Sequence, residues 1–238
     1  MDLESVIQTF ETYAVDYVRY ILSLFGREAF RRRAPDLEKK LFSFALISAL
    51  LGSYLDMKYV SGLPVGESDL ATPVITEFSI WIALSVVVWV GMGVARSGHQ
   101  AYTPALDAVL RVLPVTYVIG AYVGFLMTNV AHVWTWPTCA AWQGYFSILL
   151  VRFGLVAAFM PLSIAISNTS LGRARTIAAV VAIAVLAIQA GSFIAKLSDQ
   201  AVSECKADKA CAALSGAARL PAIHLNFLRN LMAVRRCL

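Results

Sequence analysis

The sequence predicts an all-α fold, a polytopic membrane helix bundle with five transmembrane helices plus amphipathic N-terminal and C-terminal helices. Three observations predict it. Of 238 residues, 59% are hydrophobic and 15% charged, against about 45–50% and about 25% in soluble domains. The mean hydropathy is +0.69, which also excludes a solvated, disordered chain. Finally, the apolar residues gather in blocks of membrane length, with the basic residues beside them. These features divide the chain into a cytoplasmic amphipathic helix and basic hinge (1–40), a five-span bundle (41–195) and an extracytoplasmic, cysteine-containing amphipathic tail (196–238).

In residues 3–25, Leu3, Val6, Ile7, Phe10, Ala14, Tyr17, Val18, Ile21, Leu24 and Phe25 recur at steps of one, three and four. Such spacing gives a helix with an apolar stripe. Asp2, Glu4, Glu11 and Asp16 make it too polar to span, so it lies on the membrane or packs against the bundle. The same acids, without a small-residue cleavage site, do not form a cleavable signal. Insertion is therefore expected to rest on the first span. Residues 27–40 form the hinge, with Arg31, Arg32, Arg33, Lys39 and Lys40, and Pro35 stops any helix entering it.

The spans are expected at about 41–55, 78–95, 112–133, 145–167 and 177–195. The first is short, about 22 Å against about 30 Å of hydrocarbon. Pro114 is placed in the first turn of the third span, where a missing N–H costs little. Pro161 lies inside the fourth and should kink it.

Net charge is +5. A basic balance can signal nucleic acid, but here the cations flank apolar blocks, which points to lipid headgroups and topology. Seven Lys and Arg precede span 1, Arg96 and Arg111 lie between spans 2 and 3, and Arg173 and Arg175 between spans 4 and 5. The opposite loops hold Lys58 alone. The N-terminus is therefore expected inside and the C-terminus outside, as in a bacterial inner membrane protein with a periplasmic tail. In that tail Leu220, Ile223, Phe227, Leu228, Leu231 and Val234 form an interfacial stripe.

This topology puts Cys139, Cys205, Cys211 and Cys237 on one side, the oxidising one. An even set there suggests disulfides, pairing Cys205 with Cys211 and Cys139 with Cys237, among three possible pairings. Free thiols and a metal site are the rivals, although the spacing lacks the usual CxxC or HxxxH pattern.

The candidate binding residues are Arg152, Glu77, His132 and Asn129. Arg152 is the one charge well inside a span, about 10 Å from its outer edge. A charge at that depth marks a functional site, or it snorkels outward. Glu77 and Asp56 are its candidate partners. His132 and Asn129 adjoin Trp134, Trp136 and Trp142, which read as an interfacial aromatic belt; His132 is a proton carrier or simply a wet histidine. Gln189, Ser163, Ser167 and Asn168 read as interhelical hydrogen-bonding groups, and Gly120-x-x-x-Gly124 as a close-packing face. The sequence has no phosphate loop, GxSxG, HExxH or dinucleotide fingerprint. A non-enzymatic chain without metal or cofactor is therefore expected, and paired-histidine haem ligation is disfavoured.

The stretch Gly98-His99-Gln100-Ala101-Tyr102, then Ala105-Leu106 and Arg111-Val112-Leu113-Pro114, resembles the bacterial Yip-domain proteins, five-span relatives of Golgi Ypt-interacting proteins. The resemblance covers about residues 15–195 and departs from the family where Ser97-Gly98 replaces its Gly-Gly. It implies membrane organisation or partner recruitment. The expected function is thus a scaffold or accessory subunit that binds lipids, another membrane protein or a second copy, with no nucleic-acid partner. The alternative is a transporter or channel for a small anionic molecule or lipid, which Arg152 would hold.

Overall fold

The computed structural model describes residues 3–23, 35–56, 67–93, 102–134, 137–166, 169–214 and 216–237, and among these it is helical with no strand. The helices are α1 (Leu3–Ser23), α2 (Pro35–Leu55), α3 (Glu67–Gly93), α4 (Thr103–Trp134), α5 (Pro137–Ala165), α6 (Leu171–Ala207), the single turn α7 (Lys209–Ala212) and α8 (Leu220–Cys237). Among the described residues, α3, α4, α5 and α6 each hold a stretch long and apolar enough to cross a membrane. The apolar part of α2, Lys40–Leu55, is shorter.

α4 is the central helix. Buried residues make up 67% of its most apolar window, against 28% in α3 and 33% in α5 and α6. Its buried residues, among them Val109, Val112, Leu113 and Val115, form the core with Phe44 of α2, Trp81 of α3, Met160 of α5 and Val181 of α6. The outward faces of the other helices carry exposed Val, Leu and Ile, as surfaces meeting hydrocarbon do.

One sequence expectation is corrected here. α4 begins at Thr103, not near residue 112, so Pro114 lies in its interior. The proline of the first turn is Pro104, where its ring fits without loss. Pro114 removes the amide that would bond the carbonyl four residues earlier, that of Leu110. The buried Tyr20 hydroxyl of α1 donates to that carbonyl. Around this bond Tyr13, Tyr17 and Tyr20 pack on Phe44 with ring centroids 5.2, 5.7 and 5.3 Å apart. Tyr17 and Ser48 share a hydrogen bond of 3.0 Å, and Lys40 donates to Asp16 at 2.6 Å.

α1 is thus docked on its own bundle, through a tyrosine face rotated from the stripe the sequence outlines. Its opposite side exposes Val15, Val18 and Leu22. The stripe count missed Tyr13 and Tyr20, because Tyr20's acceptor belongs to a helix ninety residues away and Tyr13 packs on Phe44 of α2.

α6 has 37 residues and is about 55 Å long, so it runs beyond the 177–195 block into the segment read as tail. Cys205 near its end is disulfide-bonded to Cys211 of α7, with Cα atoms 5.2 Å apart. Asp208 accepts from the Ala210 amide at 3.0 Å and starts α7. Arg219 then donates to the carbonyls of Ala212 and Leu214. α8 returns against α6, where Asn230 donates to Glu204 at 3.2 Å. Asn230 and Val234 are buried, while Leu220, Leu225, Leu228, Leu231 and Met232 are exposed. Half of the predicted tail stripe therefore faces away from the protein.

Candidate functional site

Five helices send one polar side chain each to the middle of the bundle. Arg152 of α5 is the centre. Its Nη2 donates to Glu77 Oε2 of α3 at 3.0 Å and its Nη1 to Oε1 at 3.3 Å. The Gln189 amide of α6, turned with its oxygen toward the guanidinium, accepts from Nη1 at 2.6 Å and Nε at 3.3 Å. Four of the five N–H donors that an arginine carries are thereby engaged. The guanidinium carbon also stands 4.5 Å from the centroid of the Tyr117 ring of α4, a cation–π geometry. Tyr117 in turn shares a 3.1 Å hydrogen bond with Ser53 of α2, and Trp81 meets its ring edge-on at 6.1 Å.

Burial makes the pairing obligatory. The side chains of Arg152 and Glu77 are 6% and 18% exposed. A lone charge at this depth is costly, and an ion pair persists there only with close geometry and its remaining donors satisfied. Two glycines make room. A Cβ on Gly120 would lie 2.7 Å from Arg152 Cγ, and one on Gly52 2.5 Å from Tyr117 Cδ1. Gly120, the first member of GxxxG, thus seats the arginine stem.

Of the two acids considered beside Arg152, Glu77 is bonded to it. Asn129 is not part of this cluster; its amide donates at 2.7 Å to the Phe125 carbonyl on its own helix. Ser163 donates to the Ala108 carbonyl at 3.0 Å, joining α5 to α4. The side chains of His132, Trp134, Trp142, Cys139 and Cys237 lie outside the described residues, as do Trp136, Ser167 and Asn168. Tyr117, Ser53 and Gly52 went unnoticed in the sequence. The available signal was that Tyr117 lies three residues before Gly120, on the same face of a span.

Chemically the cluster is a closed, charge-balanced brace across α2 to α6. It offers a cation paired with the Glu77 carboxylate of another helix. No family model, curated protein or solved structure matches this chain, so its role has to be argued from these side chains and surfaces.

Proposed function

We propose that the chain is a non-enzymatic integral membrane protein, a scaffold or accessory subunit that binds another membrane protein or lipids. In this reading it crosses a bacterial inner membrane five times, α2 included, with a cytoplasmic N-terminus and a periplasmic C-terminus. The observation that carries it is the pair of helices outside the brace. α1 uses its tyrosine face for docking and turns Val18 and Leu22 outward, 53% and 60% exposed. α8 buries Asn230 and Val234 and turns Leu225 and Met232 outward, 60% and 59% exposed. Apolar faces of this kind, on helices too polar to span, fit a partner or a membrane surface. The Cys205–Cys211 disulfide favours an oxidising side for the α6–α8 end. The resemblance to Yip-domain proteins points the same way.

The test is affinity purification of the tagged, full-length chain in mild detergent, with mass spectrometry and a size estimate. A stoichiometric partner or second copy is expected. Its loss on Val18→Glu with Leu22→Glu, or on Leu225→Glu with Met232→Glu, would place the contact. The second reading is a carrier for a small anion or lipid. It draws on the Arg152–Glu77 pair, because an incoming anion could replace that carboxylate. A monomer without partner, and a phenotype abolished by Arg152→Gln, would favour it.

A further inference from the structure

The edge between α5 and α6 carries a groove of about 400 Å³ lined by Ala157, Ala158 and Pro161 on α5 and by Leu171, Arg175 and Ala179 on α6. It lies toward the α5–α6 connection and begins at Ala157, more than one turn along α5 from Arg152. Ala157, Ala158 and Ala179 are exposed and small, so a chain-like apolar molecule can lie against the backbone there. The end of the groove at Leu171 and Arg175 is positive twice over. Arg175 is exposed, and among the described residues it pairs with no carboxylate. Beside it, α6 begins at Leu171 without a side-chain cap from Ser170, and its first backbone bond runs from Ala174 to the Ser170 carbonyl. The amides of Leu171 and Gly172 therefore have no intrahelical acceptor, and a helix start favours phosphate. A guanidinium adds a charge-assisted donor for the same group.

We propose that this groove binds an anionic phospholipid, its phosphodiester held by Arg175 and the start of α6 and an acyl chain lying over Ala158 and Ala179. An apolar groove beneath two convergent anion donors matches one ligand with both parts. A free phosphate leaves the groove empty, and a zwitterionic lipid brings its own cation to Arg175. The inference rests on the lipid-binding half of the proposed function. It is read on purified protein, so the presence of a partner subunit does not enter.

The test is native mass spectrometry of the full-length protein in detergent, with dioleoylphosphatidylglycerol, dioleoylphosphatidylcholine or glycerol 3-phosphate added. The expected result is retention of phosphatidylglycerol over phosphatidylcholine, with no retention of glycerol 3-phosphate. Arg175→Gln should weaken that retention about fivefold, the order expected for one basic residue against an anionic lipid. Ala158→Trp, at an exposed position, should block it by filling the groove while helicity by circular dichroism is unchanged. Arg229→Gln on α8 should leave it intact. Equal retention of both lipids by the wild type, or undiminished phosphatidylglycerol on Arg175→Gln, overturns the site and leaves the membrane reading standing. A protein that stays monodisperse without detergent overturns that reading instead.

Discussion

Arg152 and Tyr20 both bring polar atoms into the apolar interior, and they are satisfied in opposite ways. Arg152 carries a full charge, so α3 must contribute a carboxylate, α6 an amide and α4 an aromatic face. Tyr20 is neutral and answers one defect, the Leu110 carbonyl that Pro114 leaves without its amide. The first arrangement ties together the helices of the bundle. The second ties one outlying helix to the bundle's surface. A buried charge recruits many partners because its desolvation is too large for one bond to offset, whereas a single hydroxyl suffices for a peptide carbonyl.

The largest effect is expected from breaking the charged arrangement on one side only. Arg152→Met strands Glu77 and should cost about 3–5 kcal/mol, read as a fall in the thermal unfolding midpoint in detergent. The double variant Arg152→Met with Glu77→Leu should recover most of that loss, since an apolar pair of similar volume replaces an ion pair at little cost. If the double variant is no more stable than the single, the pair is not the brace described here. Next comes Gly120→Val, which drives a side chain into the arginine stem and should cost about 1–3 kcal/mol. Its effect should shrink in the Arg152→Ala background, because the obstructing stem is gone.

The neutral arrangement should yield a smaller and more local effect. Tyr20→Phe leaves the Leu110 carbonyl buried and unbonded, at about 1–2 kcal/mol. Limited proteolysis should show α1 released while α3 to α6 stay protected. Pro114→Ala returns an amide to α4, so Tyr20→Phe should cost less in that background. The same seam should respond to pH. Burial raises the Tyr20 hydroxyl well above its ordinary 10.0, with the Tyr17 ring adding to the rise and Arg111 opposing it. Burial also raises Tyr17, against its bond to Ser48. The docked tyrosines thus hold their protons where the undocked ones lose them, so docking is intact below about pH 10 and weakens as pH rises beyond it. Proteolytic release of α1 should increase above pH 10 in the wild type and respond less in Tyr20→Phe.

The contrast also explains what the sequence disclosed. Arg152 was visible because a charge inside an apolar block is conspicuous in one dimension, and Glu77 because it is an acid at the outer edge of the neighbouring block. The membrane-length blocks of α3 to α6 were visible for the same reason. Tyr20 and Pro114 were not, because their meaning lies in a bond between α1 and α4 that neither local pattern contains. Pro114 was read as a start signal although Pro104, ten residues earlier, holds that place. Tyr117 escaped because tyrosine in a span is ordinary until an arginine lies over its ring. The face of α8 was half legible: Ile223, Phe227 and Val234 do turn toward the protein. Asn230 joins them through Glu204 of α6, and Leu228 and Leu231 stay outside.

The smallest effect tests whether charge or burial makes the difference. Lys40 and Asp16 form an ion pair at 2.6 Å that also joins two helices, α2 and α1, yet their side chains are 33% and 25% exposed. Water screens such a pair and solvates either partner if the other is removed, so its worth is at most about 1 kcal/mol. Lys40→Met should therefore shift the unfolding midpoint little and leave α1 docked, and raising the salt concentration should mimic it. Arg152→Met should be insensitive to salt, because the ions do not reach it. If Lys40→Met proved as damaging as Arg152→Met, ion pairing between helices as such would hold the fold. If it proves nearly silent, the depth of the Arg152–Glu77 pair is what makes the brace.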